Sequence, residues 1–274
     1  MKTVFKAFGI FCLLGIIFSI FQTIVTLTYP DWTKSLTGIY VMESLSLIVV
    51  FGLSAYIGIR ATEHTEPLKN VGFKTPLARR DALLITALTI AALPFVAYTE
   101  ELNKMIPLPD IFITMEKMAL AITERLMNTS SYSRLIINII VIAGIPAICE
   151  EFMFRGWIQR RLTDAMNHHI AILVGAIIFS TIHLQFQGFI PRLFLGLILG
   201  YVYFYTGSLW ASALLHFLNN AFATIAAFLV YNKVFSDDFE SSIPLAIASL
   251  AISITLLYYI RKSAEKQNQR SLPN

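Results

Sequence analysis

The stretch AICEEFMFRG, residues 147–156, places two adjacent carboxylates at the end of an apolar run that begins at Leu135. An ionised group at the centre of a bilayer helix costs about 2.5–3.5 kcal/mol on insertion scales, and two neighbouring carboxylates also repel each other. On a helix, Arg155 lies on the same face as Glu151, four residues away, and can pair with it. Glu150 points about 100° away around the helix and has no comparable partner nearby in the sequence. Glu150 is therefore the strongest candidate for a functional group.

The composition around this stretch is that of a membrane protein. Of the 274 residues, 56% are hydrophobic and only 14% are charged, whereas a soluble domain typically carries about 25% charged residues. No long polar stretch could form a soluble domain, so we predict an all-α, polytopic protein with one integral membrane domain over residues 1–274. The net charge of +4 is better explained by basic cytoplasmic loops than by a nucleic-acid partner. The two cysteines both lie in apolar runs, so the sequence predicts no disulfide framework and no cysteine metal cluster.

Hydropathy predicts about eight transmembrane helices with a polar site among them. Residues 100–132 are mixed, and apolar residues recur there at helical spacing, as in a helix that lies on the membrane surface. Three acidic residues, Glu43, Glu100 and Glu101, are predicted to lie at the outer membrane boundary. The region that carries the polar motifs spans about residues 134–232. The predicted spans are residues 7–30, 39–59, 82–99, 135–157 and 169–184, two helices within 193–232 that a turn at 206–208 divides, and 241–260.

Lysines and arginines predict the orientation of these helices. If both termini lie inside the cell, the inner segments carry fourteen of these residues and the outer segments carry seven. Because cytoplasmic loops are enriched in lysine and arginine, we predict a cell-membrane protein with both termini in the cytoplasm. In this orientation the Glu150–Glu151 pair lies toward the cytoplasmic end of its helix.

Three further polar residues fall within predicted spans. His183 ends the fifth span, and His216 and Asn220 share one face of the seventh. Together with Glu150 they are typical of a hydrolytic site, because a carboxylate in a low-dielectric environment can act as a general base toward water. One imidazole can hold that water or shuttle its proton. A second imidazole and a neighbouring amide can donate hydrogen bonds to the oxyanion of a tetrahedral intermediate.

The same side chains leave a second scheme open. Glu150, His183 and His216 could instead bind a zinc ion and leave its fourth position for water. From these residue types alone, the cofactor is either a divalent metal such as zinc or none.

The three motifs Glu150-Glu151-x-x-x-Arg155, Phe179-x-x-x-His183 and His216-x-x-x-Asn220 resemble those of the CPBP (Abi) family. This family includes CAAX proteases of the Ras-converting type and bacteriocin-processing enzymes. The resemblance implies an eight-helix intramembrane endopeptidase with its site near the cytoplasmic face. By the same resemblance, Glu150 activates water, His183 assists it, and His216 with Asn220 stabilises the oxyanion. Glu151 and Arg155 would support these residues.

The resemblance also implies the class of partner. The expected substrate is a membrane-associated peptide or lipidated protein within the lipid bilayer, such as a prenylated CAAX protein or a bacteriocin-like peptide. The alternative is a non-proteolytic membrane protein of the same fold, either a scaffold or immunity protein or a small transporter. Transporters often consist of duplicated halves, and residues 1–130 contain no copy of the glutamate or histidine motifs, which argues against the transporter.

Overall fold

The computed structural model describes residues 2–62, 68, 71–236 and 242–270, and every regular element in them is helical. The predicted all-α fold is therefore confirmed. A one-turn helix, Pro30–Thr33, follows the first main helix, and a 3₁₀ turn, Phe186–Gly188, precedes the seventh. The main helices of the described residues are α1 Lys2–Thr28, α2 Leu36–Ala61, α3 Arg79–Lys104, α4 Asp110–Met127, α5 Tyr132–Thr163, α6 His168–Thr181, α7 Phe189–Thr206, α8 Leu209–Tyr231 and α9 Ile243–Arg270.

Within the described part of the chain, seven helices are long and apolar enough to cross a membrane, so the protein is an integral multi-pass membrane protein. The structure differs from the predicted eight spans at the fifth, residues 169–184. There α6 has only 14 residues, or about 21 Å at 1.5 Å per residue, whereas the hydrocarbon core of a bilayer is about 30 Å thick. The predicted span has only 16 residues, and the helix within it stops at Thr181.

Contacts between the loops show that the helix ends lie on two opposite faces of the bundle. On one face, residues 71–75 meet the turn before α8: Leu209 N donates to Gly72 O (3.3 Å) and Ser208 Oγ donates to Thr75 O (2.8 Å). The start of α6, the end of α7 and the end of α9 also meet on this side, around His168. We call this the terminal face, because the chain's first described helix begins there and its last one ends there.

The other face, which we call the distal face, carries residues 29–35, 105–131, 182–188 and 232–236. Asn103 Nδ2 donates to Phe186 O at 2.8 Å, and Asn232 Nδ2 donates to Thr129 O at 3.0 Å. The helix predicted within residues 100–132 is present on this face as α4.

Helix α5 is the centre of the fold and changes its winding twice. A π-helical turn, Ile139–Gly144, precedes Pro146, and a second one, Phe152–Gln159, follows the glutamate pair. The ring nitrogen of Pro146 cannot donate to the Ile142 carbonyl, and this carbonyl accepts a hydrogen bond from Asn220 Nδ2 on α8 instead. Such local rewinding is common at functional sites. All of the residues 152–159 are buried and form the middle of the apolar core on the terminal-face side.

Glycines allow the helices around α5 to approach each other closely. A Cβ atom on Gly58 would lie 1.8 Å from the ring of Trp157, and one on Gly196 would lie 3.0 Å from Ala176 Cβ. A Cβ atom on Gly200 would likewise lie 2.7 Å from Ile172 Cγ2. The spacing of Gly196 and Gly200 is the GxxxG pattern of close helix packing, and the structure shows that close approach between α7 and α6.

We predict that Gly58→Ala destabilises the protein although alanine is the better helix former. In an open helical position this change stabilises by about 0.8–1 kcal/mol, but at Gly58 the methyl group overlaps Trp157, and overpacking costs about 1–3 kcal/mol. The matched control is Gly175→Ala in α6, where a Cβ atom meets nothing within 4 Å. Thermal unfolding in detergent should give a lower Tm for Gly58→Ala and an unchanged or higher Tm for Gly175→Ala. Equal values for the two variants would contradict the packing described above.

Candidate active site

The distal half of the helix bundle encloses a cavity of about 810 Å³. Its walls include all four of the predicted catalytic side chains, Glu150, His183, His216 and Asn220. These residues come from α5, from the connection after α6 and from α8, so the fold brings the three sequence motifs to one place.

Glu150 and His183 face each other across a short gap. Glu150 is 6% exposed, and its Oε2 atom accepts no hydrogen bond from any described residue. The nearest partner is His183 Nε2 at 3.8 Å, which is longer than a direct hydrogen bond. His183 Nδ1 lies 2.7 Å from the Phe179 carbonyl oxygen. Because a carbonyl can only accept, Nδ1 carries the proton, and in the neutral ring Nε2 is then an acceptor. Glu150 Oε2 and His183 Nε2 are therefore two hydrogen-bond acceptors that face each other within the cavity.

The early end of α6 explains the position of His183. The helix stops at Thr181, and the next residues turn away through Leu184, whose φ of 55° lies in the left-handed region. That conformation costs a non-glycine residue roughly 1–2 kcal/mol, and such strain is often found at functional sites. Irregular backbone within a membrane is tolerated where it lines a cavity, as residues 183–188 do here.

Glu151 binds two cationic or polar partners at once. Its Oε1 atom accepts from Arg155 Nη1 at 2.7 Å and from His216 Nδ1 at 2.9 Å. The predicted ion pair between Glu151 and Arg155 is therefore present, with both side chains buried. Arg155 also donates from Nη2 to the Gly196 carbonyl on α7 at 3.0 Å. The bond to His216 was not predicted; it fixes the orientation of that ring from α5.

Phe179 packs between the two histidines. Its ring meets His183 edge-on, with ring centroids 5.0 Å apart, and meets His216 edge-on at 5.7 Å. The Arg155 guanidinium lies 4.8 Å from the centre of the same ring. The aromatic residue of the second motif thus holds both imidazoles and the guanidinium in place. The Phe179-x-x-x-His183 spacing was a signal for it, although sequence analysis gave it no role.

Asn220 is tied to its neighbours by its side-chain amide. Its Nδ2 atom makes the bond to Ile142 O at 3.4 Å, and its Oδ1 atom accepts from Asn219 Nδ2 at 3.2 Å. A bond of 3.4 Å is long for an N–H donor. The amide therefore has a donor that is weakly engaged and lies in the same cavity as Glu150.

The predicted zinc ligands do not form a metal-binding group in this arrangement. Among the residues that the structure describes, no three His, Cys, Asp or Glu side chains are grouped so that they could hold a metal ion. His216 already donates Nδ1 to Glu151, which leaves only its other ring nitrogen for a ligand bond. Zinc binding by Glu150, His183 and His216 stays a prediction.

The cavity also contains charged residues that sequence analysis did not assign to a site. Glu43 and Glu100, which were predicted to be interfacial, line its wall. Arg192 lines it too, and donates to Gln185 O at 3.0 Å and to Gln185 Oε1 at 2.6 Å. Glu116 on α4 accepts from Gln187 N at 2.9 Å. In the sequence, the one signal for Arg192 is that it directly precedes a long run without charged residues.

Residues 132–222 match the family model described as Type II CAAX prenyl endopeptidase Rce1-like. This match supports the resemblance of the chain to the CPBP family. The matched region runs from the start of α5 into α8 and contains the six predicted catalytic and supporting residues. A search of curated proteins and a search of solved structures each gave no match.

We predict that the Glu151–Arg155–His216 cluster stabilises the folded protein, whereas Glu150 does not. Removing one partner of a buried ion pair leaves the other charge uncompensated and costs about 3–5 kcal/mol. Arg155→Ala should therefore lower the Tm in detergent strongly. Glu150→Gln keeps the shape of a side chain whose Oε2 atom has no hydrogen bond to lose, and should unfold near the wild-type temperature. Equal Tm values for Arg155→Ala and Glu150→Gln would contradict this division of roles.

Proposed function

We propose that the chain is a glutamate-dependent intramembrane endopeptidase, in which Glu150 activates water for attack on a peptide bond. The observation that carries this proposal is the pair of acceptors, Glu150 Oε2 and His183 Nε2, 3.8 Å apart in the cavity. The match of residues 132–222 to the Rce1-like family model supports a membrane endopeptidase in general terms. The catalytic type, the residue roles and the substrate are our proposal.

A single water molecule suits the space between the two acceptors. Water has two O–H donors, so it can donate one to the carboxylate and one to the imidazole, and its oxygen lone pairs are then directed away from both. Bridging waters of this kind are common where polar atoms lie more than 3.5 Å apart. When the water attacks a substrate carbonyl, Glu150 takes one proton, and the tetrahedral intermediate forms. The same proton then passes from Glu150 to the departing amine nitrogen, and the carboxylate is restored.

His216 and Asn220 would stabilise the oxyanion of this intermediate. Glu151 holds His216 by its Nδ1 atom, and a ring that also carries a proton on Nε2 can donate a hydrogen bond to the oxyanion. The Asn220 amide can exchange its long bond to Ile142 for a shorter one to the oxyanion.

The proposed substrate is a membrane-associated peptide. The cavity lies among apolar helices and mixes aliphatic walls, such as Leu47 and Leu195, with the polar site. Both a prenylated CAAX peptide and a bacteriocin-like peptide are compatible with that lining. We further propose that the protein lies in the cell membrane with both termini in the cytoplasm, as the distribution of basic residues predicts.

The decisive experiment is product mass spectrometry after incubation of the purified protein with a prenylated CAAX peptide, its unprenylated counterpart and a set of amphipathic peptides. Glu150→Gln should give no product, because an amide accepts no proton from water. Asn220→Ala should retain cleavage but lose about 10²–10³ in turnover, as is typical for deletion of one oxyanion donor.

The matched control is Glu265→Gln, the same chemical change in an exposed ion pair on the terminal face; it should cleave at the wild-type rate. Cleavage by Glu150→Gln within a few-fold of wild type would remove Glu150 from the mechanism. No cleavage of any peptide by the wild-type protein would favour the non-proteolytic scaffold.

A further inference from the structure

The cavity that contains Glu150 is lined mostly by the distal parts of the helices and extends past their middle to Glu150 and His216. Helix α3 contributes residues of its last turns, α7 contributes residues of its first turns, and α4 lies wholly on the distal face. None of the described residues that line the cavity belongs to the loops of the terminal face.

The mouth of the cavity lies on the distal face. Glu100 and Lys104 form an ion pair of 2.7 Å at the end of α3, and their side chains are 48% and 56% exposed. The deepest wall residue on α8 is His216, which lies about 10 Å from the terminal-face end of that helix at 1.5 Å per residue. The cavity therefore extends from the distal surface to about two thirds of the depth of the bundle.

Close packing closes the way to the terminal face. Below the glutamate pair, Trp157 and Met153 on α5 are each 1% exposed, and Leu209 at the start of α8 is 2% exposed. Gln159 donates to the Gly200 carbonyl at 3.0 Å, which ties α5 to α7 at this level. Apolar side chains in van der Waals contact leave no passage for a peptide from this side.

Helix α4 forms part of the entrance. It has the length of a span but an amphipathic pattern, and it is not among the seven spanning helices of the described residues. Phe112 packs against Phe186 with tilted rings whose centroids are 4.3 Å apart, and Glu116 accepts a hydrogen bond from the Gln187 backbone N–H. These contacts anchor α4 to the connection that carries His183. The next apolar residues, such as Leu120, line the cavity and are partly exposed.

We infer that the substrate reaches Glu150 from the distal face, the side opposite the chain's terminal face. With the termini in the cytoplasm, that side is the outside of the cell. The inference rests on the proposed function and narrows its substrate class to a peptide whose scissile bond is presented at the outer leaflet. A lipidated protein held at the cytoplasmic leaflet approaches from the closed side. The sequence-based expectation of a site near the cytoplasmic face concerned the depth of the site, whereas this inference concerns the side from which the substrate enters.

The test is thiol labelling in sealed vesicles, which does not depend on catalysis. In a Cys12→Ser, Cys149→Ser background, single cysteines are placed within the cavity (Asn219→Cys), near its mouth (Leu120→Cys), on the terminal face (Glu265→Cys) and in the core (Ala211→Cys). Each is exposed to a membrane-impermeant maleimide in right-side-out and inverted vesicles. Asn219→Cys and Leu120→Cys should be labelled in right-side-out vesicles and lose labelling in inverted ones. Glu265→Cys should show the reverse, and Ala211→Cys should stay unlabelled in both.

Three results would overturn the inference. Labelling of Asn219→Cys from the same side as Glu265→Cys would show that the cavity opens on the terminal face. Labelling from opposite sides, but with Glu265→Cys on the outside, would place the mouth in the cytoplasm. Labelling of both cavity cysteines only after detergent is added would mean that the cavity opens to lipid alone. Because labelling is independent of proteolysis, a failure of the peptide assay and a failure of this test remain distinguishable.

Discussion

The carboxylate of Glu151 is the constraint on which the site depends. It is fully buried, and one of its oxygen atoms binds Arg155 from the same helix and His216 from α8. Burying this charged group is tolerated only when close partners compensate for the lost hydration. Here each partner also connects α5 to another helix. Arg155 reaches the Gly196 carbonyl of α7 and the ring of Phe179 on α6. Through its Oε1 atom alone, this carboxylate thus links four helices at the level of the site, while its Oε2 atom has no hydrogen-bond partner among the described residues.

Glu150 points to a different side of the same helix and therefore has different surroundings. It faces a cavity instead of a cation, and its Oε2 atom lies 3.8 Å from an imidazole nitrogen that is also an acceptor. The two adjacent glutamates therefore differ in their surroundings: one binds the neighbouring helices, and the other faces the cavity. This difference depends on α6 ending at Thr181, since one more turn of helix would carry His183 away from its present place.

Local patterns in the sequence predicted what lies within one helix. The i, i+4 relation of Glu151 and Arg155, the unpaired state of Glu150 and the close approach at Gly196 all follow from helical geometry and appear in the structure. The bond between Glu151 and His216 joins residues 65 positions apart, and no local pattern predicts such a contact. The early end of α6 was missed for a different reason: hydropathy reports whether residues tolerate lipid, and Ile182 and Leu184 do, although the backbone there is no longer helical. The side on which the cavity opens depends on how helices from distant parts of the chain pack together, and so no local sequence pattern predicts it.

The central claim is that Glu150 and His183 together hold one water molecule. A high-resolution structure of the wild-type protein in lipid, with X-ray data collected on both sides of the zinc absorption edge, tests it most directly. We expect one density peak within about 3 Å of both Glu150 Oε2 and His183 Nε2, and this peak should show no anomalous signal. A direct hydrogen bond between these two atoms with no peak between them would contradict the account. So would an anomalous zinc peak bound by Glu150, His183 and His216.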